Sequence, residues 1–359
     1  MNEYKIAVIP GDGIGPEVVN EGIKVLKKVE SLDKTFKLNF DYFPWGCEYY
    51  LKNKQMMPED GLDILKKYDA IYLGAIGYPT VPDYISLREL LLKIRVGFDE
   101  YINLRPVKLL KGVKSPLANK TNEDIDFVVV RENSEGEYSG LGEWVNKDKE
   151  DEFVYQTGKF TYQGIKRCIK YAFELALKRK VKKVTSITKS NALNYSMVLW
   201  DKVFDEVKLD YPEVETEKLM VDAASMMFVT NPERFSVVVA SNLFGDILTD
   251  LGAAIAGGIG LASGDNINPE KKSPSMFESI HGSAPNIALK NIANPIAQIW
   301  AGANMLGFLG YPKWNERIIK TIEEVLVRGK VKTKDLGGDG STTDMGDAIC
   351  SMLDEFCKK

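Results

Sequence analysis

Apolar and polar positions along the chain switch between two periods. Ile6-Ala7-Val8-Ile9 is a short apolar run that predicts a buried strand, whereas Glu17 to Val29 spaces its apolar residues at helical intervals. Ala70-Ile71-Tyr72-Leu73 repeats the strand signal after a further helical stretch, and Phe127 to Val130, Val184 to Ile187 and Val237 to Ala240 repeat it again. Each run ends where polar residues begin. This alternation predicts a parallel sheet with helices packed on it, and in such sheets ligands gather at the carboxyl ends of strands.

Residues 139 to 160 interrupt the rhythm with Gly140, Gly142, a mixed-charge run from Lys147 to Glu152 and then Phe153-Val154-Tyr155. Two readings stand: a solvated excursion, or an arm that pairs with a second subunit. The 359 residues leave room for two domains. No Pro/Ser-rich linker separates two halves, which suits a chain that leaves one domain and later returns to it.

Composition narrows the partner. Lys and Arg number 47 against 51 Asp and Glu, a net charge of -4, so the basic footprint that nucleic acid or an anionic membrane demands is missing. The start, Met1-Asn2-Glu3-Tyr4-Lys5, lacks the basic region and cleavage site of a signal peptide. The most apolar stretch, Leu251 to Ala262, is broken by glycines and falls short of the ~20 residues needed to span a bilayer. A cytoplasmic protein with a small-molecule partner is expected. Cys47, Cys168, Cys350 and Cys357 form no CxxC pair and His281 is the sole histidine, which argues against a Cys/His zinc site or a disulfide framework. A divalent metal would have to be held by carboxylates, which suits a hard ion such as Mg2+ or Mn2+.

Four segments carry candidate chemistry. Pro10-Gly11-Asp12-Gly13-Ile14-Gly15-Pro16 joins a strand to a helix, but its spacing is GxGxG rather than GxGxxG, so a tight turn is favoured over a Rossmann phosphate loop. Arg95, Arg105 and Arg131 could each grip a carboxylate through two parallel N–H bonds, and the latter two are expected at element ends. Asp246 and Asp250, four apart after the strand Val237 to Ala240, fall on one helix face. Like charges there repel, so either a cation lies between them or the acids complement a helix amino terminus, a reading that suits Asp246 better than Asp250. The loop Glu278-Ser279-Ile280-His281-Gly282-Ser283-Ala284-Pro285-Asn286 is rich in small residues, and its backbone could approach a phosphate or an adenine ring.

Taken together, Asn242 to Asp250 and His281-Gly282-Ser283-Ala284-Pro285 resemble the β-decarboxylating dehydrogenase family, which includes isopropylmalate, isocitrate, homoisocitrate and tartrate/D-malate dehydrogenases. The similarity spans essentially the whole chain. Cys47 to Tyr50, Val81 to Leu87, Arg131 to Ser139 and Thr188 to Asn191 resemble the tartrate/D-malate branch more than the isopropylmalate branch.

The resemblance implies an isopropylmalate/isocitrate dehydrogenase-like α/β fold with two domains and a mixed sheet, not a Rossmann fold. The large cofactor-side domain would comprise residues 1–100 and 256–359, and the small dimerisation domain 101–255, with the arm near 139–160. It implies a homodimer with shared active sites. Arg95, Arg105, Arg131 and Ser86 would hold the substrate, and Asp246, Asp250 and Asp222 of the partner subunit the metal. Tyr138, with Lys189 and Asp222 of the partner subunit, would handle protons, and Ile14, Glu278, His281, Gly282, Ser283, Ala284, Asn286 and Asn294 would bind the cofactor.

The implied reaction is NAD-dependent oxidative decarboxylation of a 2-hydroxy acid with a β-carboxylate. D-malate to pyruvate and CO2 comes first, tartrate beside it, then 3-isopropylmalate, then isocitrate or homoisocitrate. Mg2+ or Mn2+ would serve as metal, with K+ left open. A non-catalytic regulatory subunit is the alternative of another class, and retention of the proton-handling residues argues against it. Two positions depart from the pattern. Asn286 stands where NAD-using members carry Asp, which removes a repulsion against a 2′-phosphate. Arg88 stands seven residues before Arg95 and, if both are helical, on nearly the same face; an exposed salt-bridging arginine is favoured, and one that entered the pocket would engage a distal carboxylate and shift preference toward isocitrate or homoisocitrate.

Overall fold

In the computed structural model, which describes residues 1–358, the Val- and Ile-rich runs are strands and the helical-period stretches are helices. In chain order the strands are β1 (Asn2–Gly11), β2 (Phe36–Tyr42), β3 (Ala70–Ala75), β4 (Ile102–Lys108), β5 (Asp126–Glu132), β6 (Gly136–Val145), β7 (Phe153–Lys159), β8 (Lys183–Thr188), β9 (Glu215–Met220), β10 (Val237–Ala240), β11 (Ser263–Ile267) and β12 (Ser275–Ser279). Two units are formed. One contains Met1–Glu100, Leu109–Asn122 and the chain from Ala256 onward; the other contains Tyr101–Lys108 and Glu123–Ile255.

In the first unit the strands run in the order β2-β1-β3-β12-β11, parallel except for β11, which pairs antiparallel with β12. Strand β1 shows why its sequence is a continuous apolar run rather than an alternation. Ile6 and Val8 point into a core with Val25, Leu26 and Phe277, while Ala7 and Ile9 point into a second core with Trp45, Met56 and Ile94. Both faces are covered, as parallel sheets require. The helix Gly15–Asp33 begins with proline in its first turn and stops at Lys34, whose φ of 60° leaves the helical region. Residues 109–122 belong here and not with the middle of the chain, because Leu110 is buried in the first core and Val113 packs against it.

The second unit orders its strands β4-β5-β10-β8-β9, again parallel except at one end, where β4 runs antiparallel to β5. Phe127, Phe228 and Phe235 meet in its core with ring centroids 4.8–5.5 Å apart. Arg105 lies inside β4 and not at an element end as expected from its place before Pro106. The stretch that interrupts the sequence rhythm is an antiparallel ribbon of β6 and β7, outside the main sheet. Its Trp144 and Tyr155 are 57% and 59% exposed, too much for a ribbon covered by its own chain.

Arg88 and Arg95 do not share a face. A π-helical turn at Leu87–Leu92 separates them, and the extra residue per turn shifts the seven-residue register, so Arg88 is exposed while Arg95 is buried. Among the described residues no helix is long and apolar enough to cross a membrane.

Candidate active site

Parallel strands β5, β10, β8 and β9 all point their carboxyl ends the same way, and each end delivers a polar side chain: Arg131, Asn242, Lys189 and Asp222 in turn. Two clusters result. In the first, Arg131 is 2% exposed and directs Nη1 to Asp246 Oδ1 at 2.5 Å, while Arg105 Nη1 approaches the same oxygen at 3.3 Å. The Tyr138 hydroxyl donates to the other oxygen, Oδ2, at 2.8 Å, and the Arg131 guanidinium lies 5.5 Å from the Tyr138 ring centroid. One carboxylate thus gathers two guanidiniums and a phenol.

The helix Asn242–Ile255 supplies both Asp246 and Asp250. Its first turn contains no acid, so complementing the helix amino terminus explains neither aspartate, contrary to the sequence reading of Asp246. Removal of water by the surrounding protein raises the Asp250 pKa; Arg105 opposes this shift and Asp246 adds to it. Gly245 is required by close approach: a Cβ there would stand 2.6 Å from Arg131 Cγ, so any side chain displaces the guanidinium stem. Asn103, Asn242 and Thr249 escaped the sequence analysis. Asn103 Oδ1 accepts from Arg105 Nε at 2.6 Å and Thr249 Oγ1 from Arg105 Nη1 at 2.7 Å. Their sequence signal is position: Asn103 stands two residues before Arg105, and Asn242 and Thr249 belong to the segment that carries Asp246 and Asp250.

The second cluster is the pair Lys189 and Asp222, with Nζ donating to Oδ1 at 2.9 Å. This bond holds the Asp222 carboxyl below its ordinary range. Among the described residues no group of three or more His, Cys, Asp or Glu side chains could hold a metal ion, so a single chain does not bring Asp222 to Asp246 and Asp250.

In the first unit the glycine loop after β1 is locked to the loop after β12. Ile14 N–H donates to the Ser283 carbonyl at 2.8 Å, and Gly13 adopts φ 57° with space so tight that a Cβ would meet that carbonyl oxygen at 2.0 Å. Asp12, 3% exposed and another residue missed in sequence, accepts from the amides of Cys47 at 2.9 Å and Gly77 at 3.0 Å. Beside this joint is a mainly apolar cleft of about 500 Å3 whose lining includes Ile14, His281, Gly282, Ala284, Ile287 and Asn294. His281 Nδ1 faces the Gly282 carbonyl at 3.0 Å, while Nε2 is buried with no partner; burial lowers the ring's pKa. A neutral imidazole with an unused nitrogen can serve a flat heteroaromatic ligand as donor or acceptor.

Other expected site residues of this unit have different surroundings. Arg95 donates to Glu278 Oε1 at 2.9 Å, and Glu278 also accepts from Asn266 at 2.8 Å, so these two side chains pair with each other. Ser86 is buried and donates to the Asp83 carbonyl at 3.1 Å. Asn286 is exposed, and its carbonyl accepts from Lys290 Nζ at 2.8 Å. Ser283 lines a second cleft of about 630 Å3 with Gly77, Tyr78 and Asp83.

Carboxylates and guanidiniums gathered at parallel strand ends, and a glycine turn without Rossmann spacing, fit one class of dehydrogenase. The model of the isocitrate/isopropylmalate dehydrogenase family matches residues 5–349, and the chain belongs to that family. It is an enzyme, a decarboxylating dehydrogenase acting on a CH–OH group, in a family that generally depends on NAD(P) and a divalent metal. The chain is 52% identical to the D-malate dehydrogenase [decarboxylating] of Escherichia coli (strain K12), covering 98% of this chain and 99% of that one. It is also 52% identical to the tartrate dehydrogenase/decarboxylase of Pseudomonas putida, with 98% of each covered. A solved isocitrate dehydrogenase from Methylococcus capsulatus superposes with a TM-score of 0.88 at 36% identity, over 98% of this chain and 99% of the other.

Proposed function

We propose that the chain is a cytoplasmic homodimer that oxidises D-malate with NAD and releases its β-carboxylate as CO2 to leave pyruvate, with tartrate as a second substrate. The observation that carries this reading is the convergence of Arg105, Arg131 and Tyr138 on Asp246, because it joins carboxylate grips and a proton donor to a metal-binding type of acid. Equal identity to a D-malate and a tartrate enzyme supports the substrate choice.

Asp246 and Asp250 fit a hard divalent cation, Mg2+ or Mn2+. They are all-oxygen donors on successive turns of one helix, and a cation would relieve the repulsion that helps raise the Asp250 pKa. When bound, the metal supplies Lewis-acid polarisation of the substrate's C2 oxygen. The third carboxylate is then Asp222 of the partner subunit. Arg105 and Arg131 hold the substrate carboxylates and orient C2. The partner's Lys189, with the partner's Asp222, takes the C2 hydroxyl proton as hydride leaves. Tyr138 delivers a proton to the enolate carbon that remains once CO2 has departed.

Residues 1–100 and 256–359, joined by 109–122, form the cofactor-side domain in this reading, with the adenosine part in the cleft of Ile14, His281 and Asn294 and the ribose near Asn286. Residues 101–108 and 123–255 form the dimerising domain, with the β6–β7 ribbon as its arm. An isolated two-stranded ribbon is marginal in water, and this one exposes Leu141, Trp144, Phe153, Val154 and Tyr155. The helix that bears Asp222, Val221–Thr230, likewise leaves Met226 64% exposed. Covering both surfaces with a second copy stabilises the ribbon and carries Asp222 into the neighbouring site.

Reduced-cofactor formation by the purified chain tests the proposal, using D-malate, L-tartrate, 3-isopropylmalate, isocitrate and homoisocitrate, each with Mn2+ or Mg2+ and with NAD or NADP. D-malate with NAD is expected to give the highest kcat/KM and tartrate the next. Faster turnover of 3-isopropylmalate or a tricarboxylate would overturn the substrate assignment, and absence of turnover with every acid would overturn the catalytic one.

A further inference from the structure

Asn242 is 2% exposed and stands at the first position of the helix that carries Asp246. Its two amide atoms face opposite ways. Oδ1 accepts from Arg131 Nε at 3.1 Å and from Arg131 Nη2 at 2.8 Å, a forked pair that fixes the plane of the guanidinium. Nδ2 donates to the Glu135 carbonyl at 3.0 Å, one residue before β6 begins at Gly136. Three residues beyond Glu135, on β6, is Tyr138. The Glu135 carboxylate is anchored in turn by Thr161, accepting from its amide at 2.8 Å and its hydroxyl at 2.6 Å.

From this arrangement we propose that Asn242 is a positioning residue that sets the Arg131 guanidinium and the root of the Tyr138 strand against one another; the inference rests on the catalytic reading given above. An amide is the suitable group for both tasks. As a neutral acceptor it orients the guanidinium without adding charge, whereas a carboxylate in the same place would put a second negative group beside an Arg131 that already faces Asp246 and would compete with an anionic substrate. As a donor it satisfies the Glu135 carbonyl, whereas a carboxylate there meets a carbonyl oxygen with no proton to offer. Gly136 adopts φ 75° next to the Asn242 Cβ, 3.2 Å from where its own would be, so the root of the strand packs directly on this side chain. Asn242 does not touch the reacting atoms and acts through Arg131 and Tyr138.

Two variants of the full chain test the roles. Asn242→Asp keeps the shape and the acceptor but loses the donor and adds a negative charge beside Arg131, and is expected to raise the KM for D-malate on the order of tenfold or more, with the KM for NAD within twofold. Asn242→Ala removes acceptor and donor together. It is expected to lower kcat as well, on the order of a hundredfold, as Tyr138 loses its alignment. Amide hydrogen exchange over 135–138 should speed up in the alanine variant while exchange in β8 and β10 stays as in the parent, a readout that needs no substrate. An unchanged D-malate KM in Asn242→Asp, parallel rises in both KM values, or unaltered exchange at 135–138 in Asn242→Ala would each overturn the inference. If the parent enzyme prefers another hydroxy acid, the substrate assignment has failed and the same comparison is made with that acid, so the two failures stay distinct.

Discussion

The two units arrange their candidate groups by opposite means. In the first, the cleft beside Ile14 and His281 is made by backbone: a glycine turn pressed onto the Ser283 carbonyl and apolar side chains around it. In the second, the centre at Asp246 is made by charge, with two guanidiniums and a phenol drawn to one carboxylate. A flat, mostly apolar ligand needs shape and a few hydrogen bonds, whereas a small di-acid offers little surface and must be held by ions. Substitutions in the two units should therefore damage different kinetic constants.

The largest separation is expected from Asp246→Asn. It removes the negative charge shared by Arg105, Arg131 and Tyr138 and turns one of the two accepting oxygens into a donor, and kcat/KM for D-malate should fall by on the order of a thousandfold or more. The dissociation constant for NAD, read by quenching of protein fluorescence, should stay within a few fold. A comparable loss of cofactor affinity would erase the contrast. Gly13→Ala makes the complementary break. Its Cβ would meet the Ser283 carbonyl oxygen at 2.0 Å in a conformation of φ 57°, so the loop must move. NAD should bind on the order of tenfold more weakly, about 1.4 kcal/mol, with smaller change in the intrinsic grip on the acid; equilibrium binding of NAD to the variant checks it.

The smallest expected effect concerns Asp265, a carboxyl buried in the first unit beside Asn304, whose pKa burial pushes up to about 8. A carboxyl with a raised folded-state pKa holds its proton while the unfolded chain releases one. Its stability contribution is therefore complete below about pH 4 and declines as pH rises towards 8. Asp265→Asn should flatten the fall in Tm between pH 5 and 8 by a few degrees. Parallel Tm curves for the two proteins would show that the carboxyl does not titrate this way. The shift should leave the D-malate KM untouched, since the group belongs to the other kind of unit.

The readable parts of the fold were those with both sheet faces covered. β1, β3, β5 and β10 contain continuous apolar runs because both of their faces are buried, and such runs stand out in any sequence. The terminal strands β2 and β9 do not. Phe36-Lys37-Leu38 alternates and Glu215-Thr216-Glu217-Lys218 is mostly polar, because an edge strand faces water. The pairing of Asp246 and Asp250 on one helix was legible from their spacing. Asn242 and Thr249 were not, since a buried amide or hydroxyl that serves a neighbouring arginine looks the same in sequence as one at the surface. Arg88 illustrates the converse: its exposure was expected, but an ideal helical period also put it on the face of Arg95, and one π turn undid that register.

Asp12 links three stretches of chain through a single carboxylate. Because it accepts from the amides of Cys47 and Gly77 while sitting in the turn after β1, none of the three can shift without breaking a hydrogen bond inside the protein. The turn behaves as a riveted joint and not as a flap. Any rearrangement that accompanies ligand arrival should pass around this joint, with the strand end, the Gly77 bend and the start of the Cys47 helix travelling as one block.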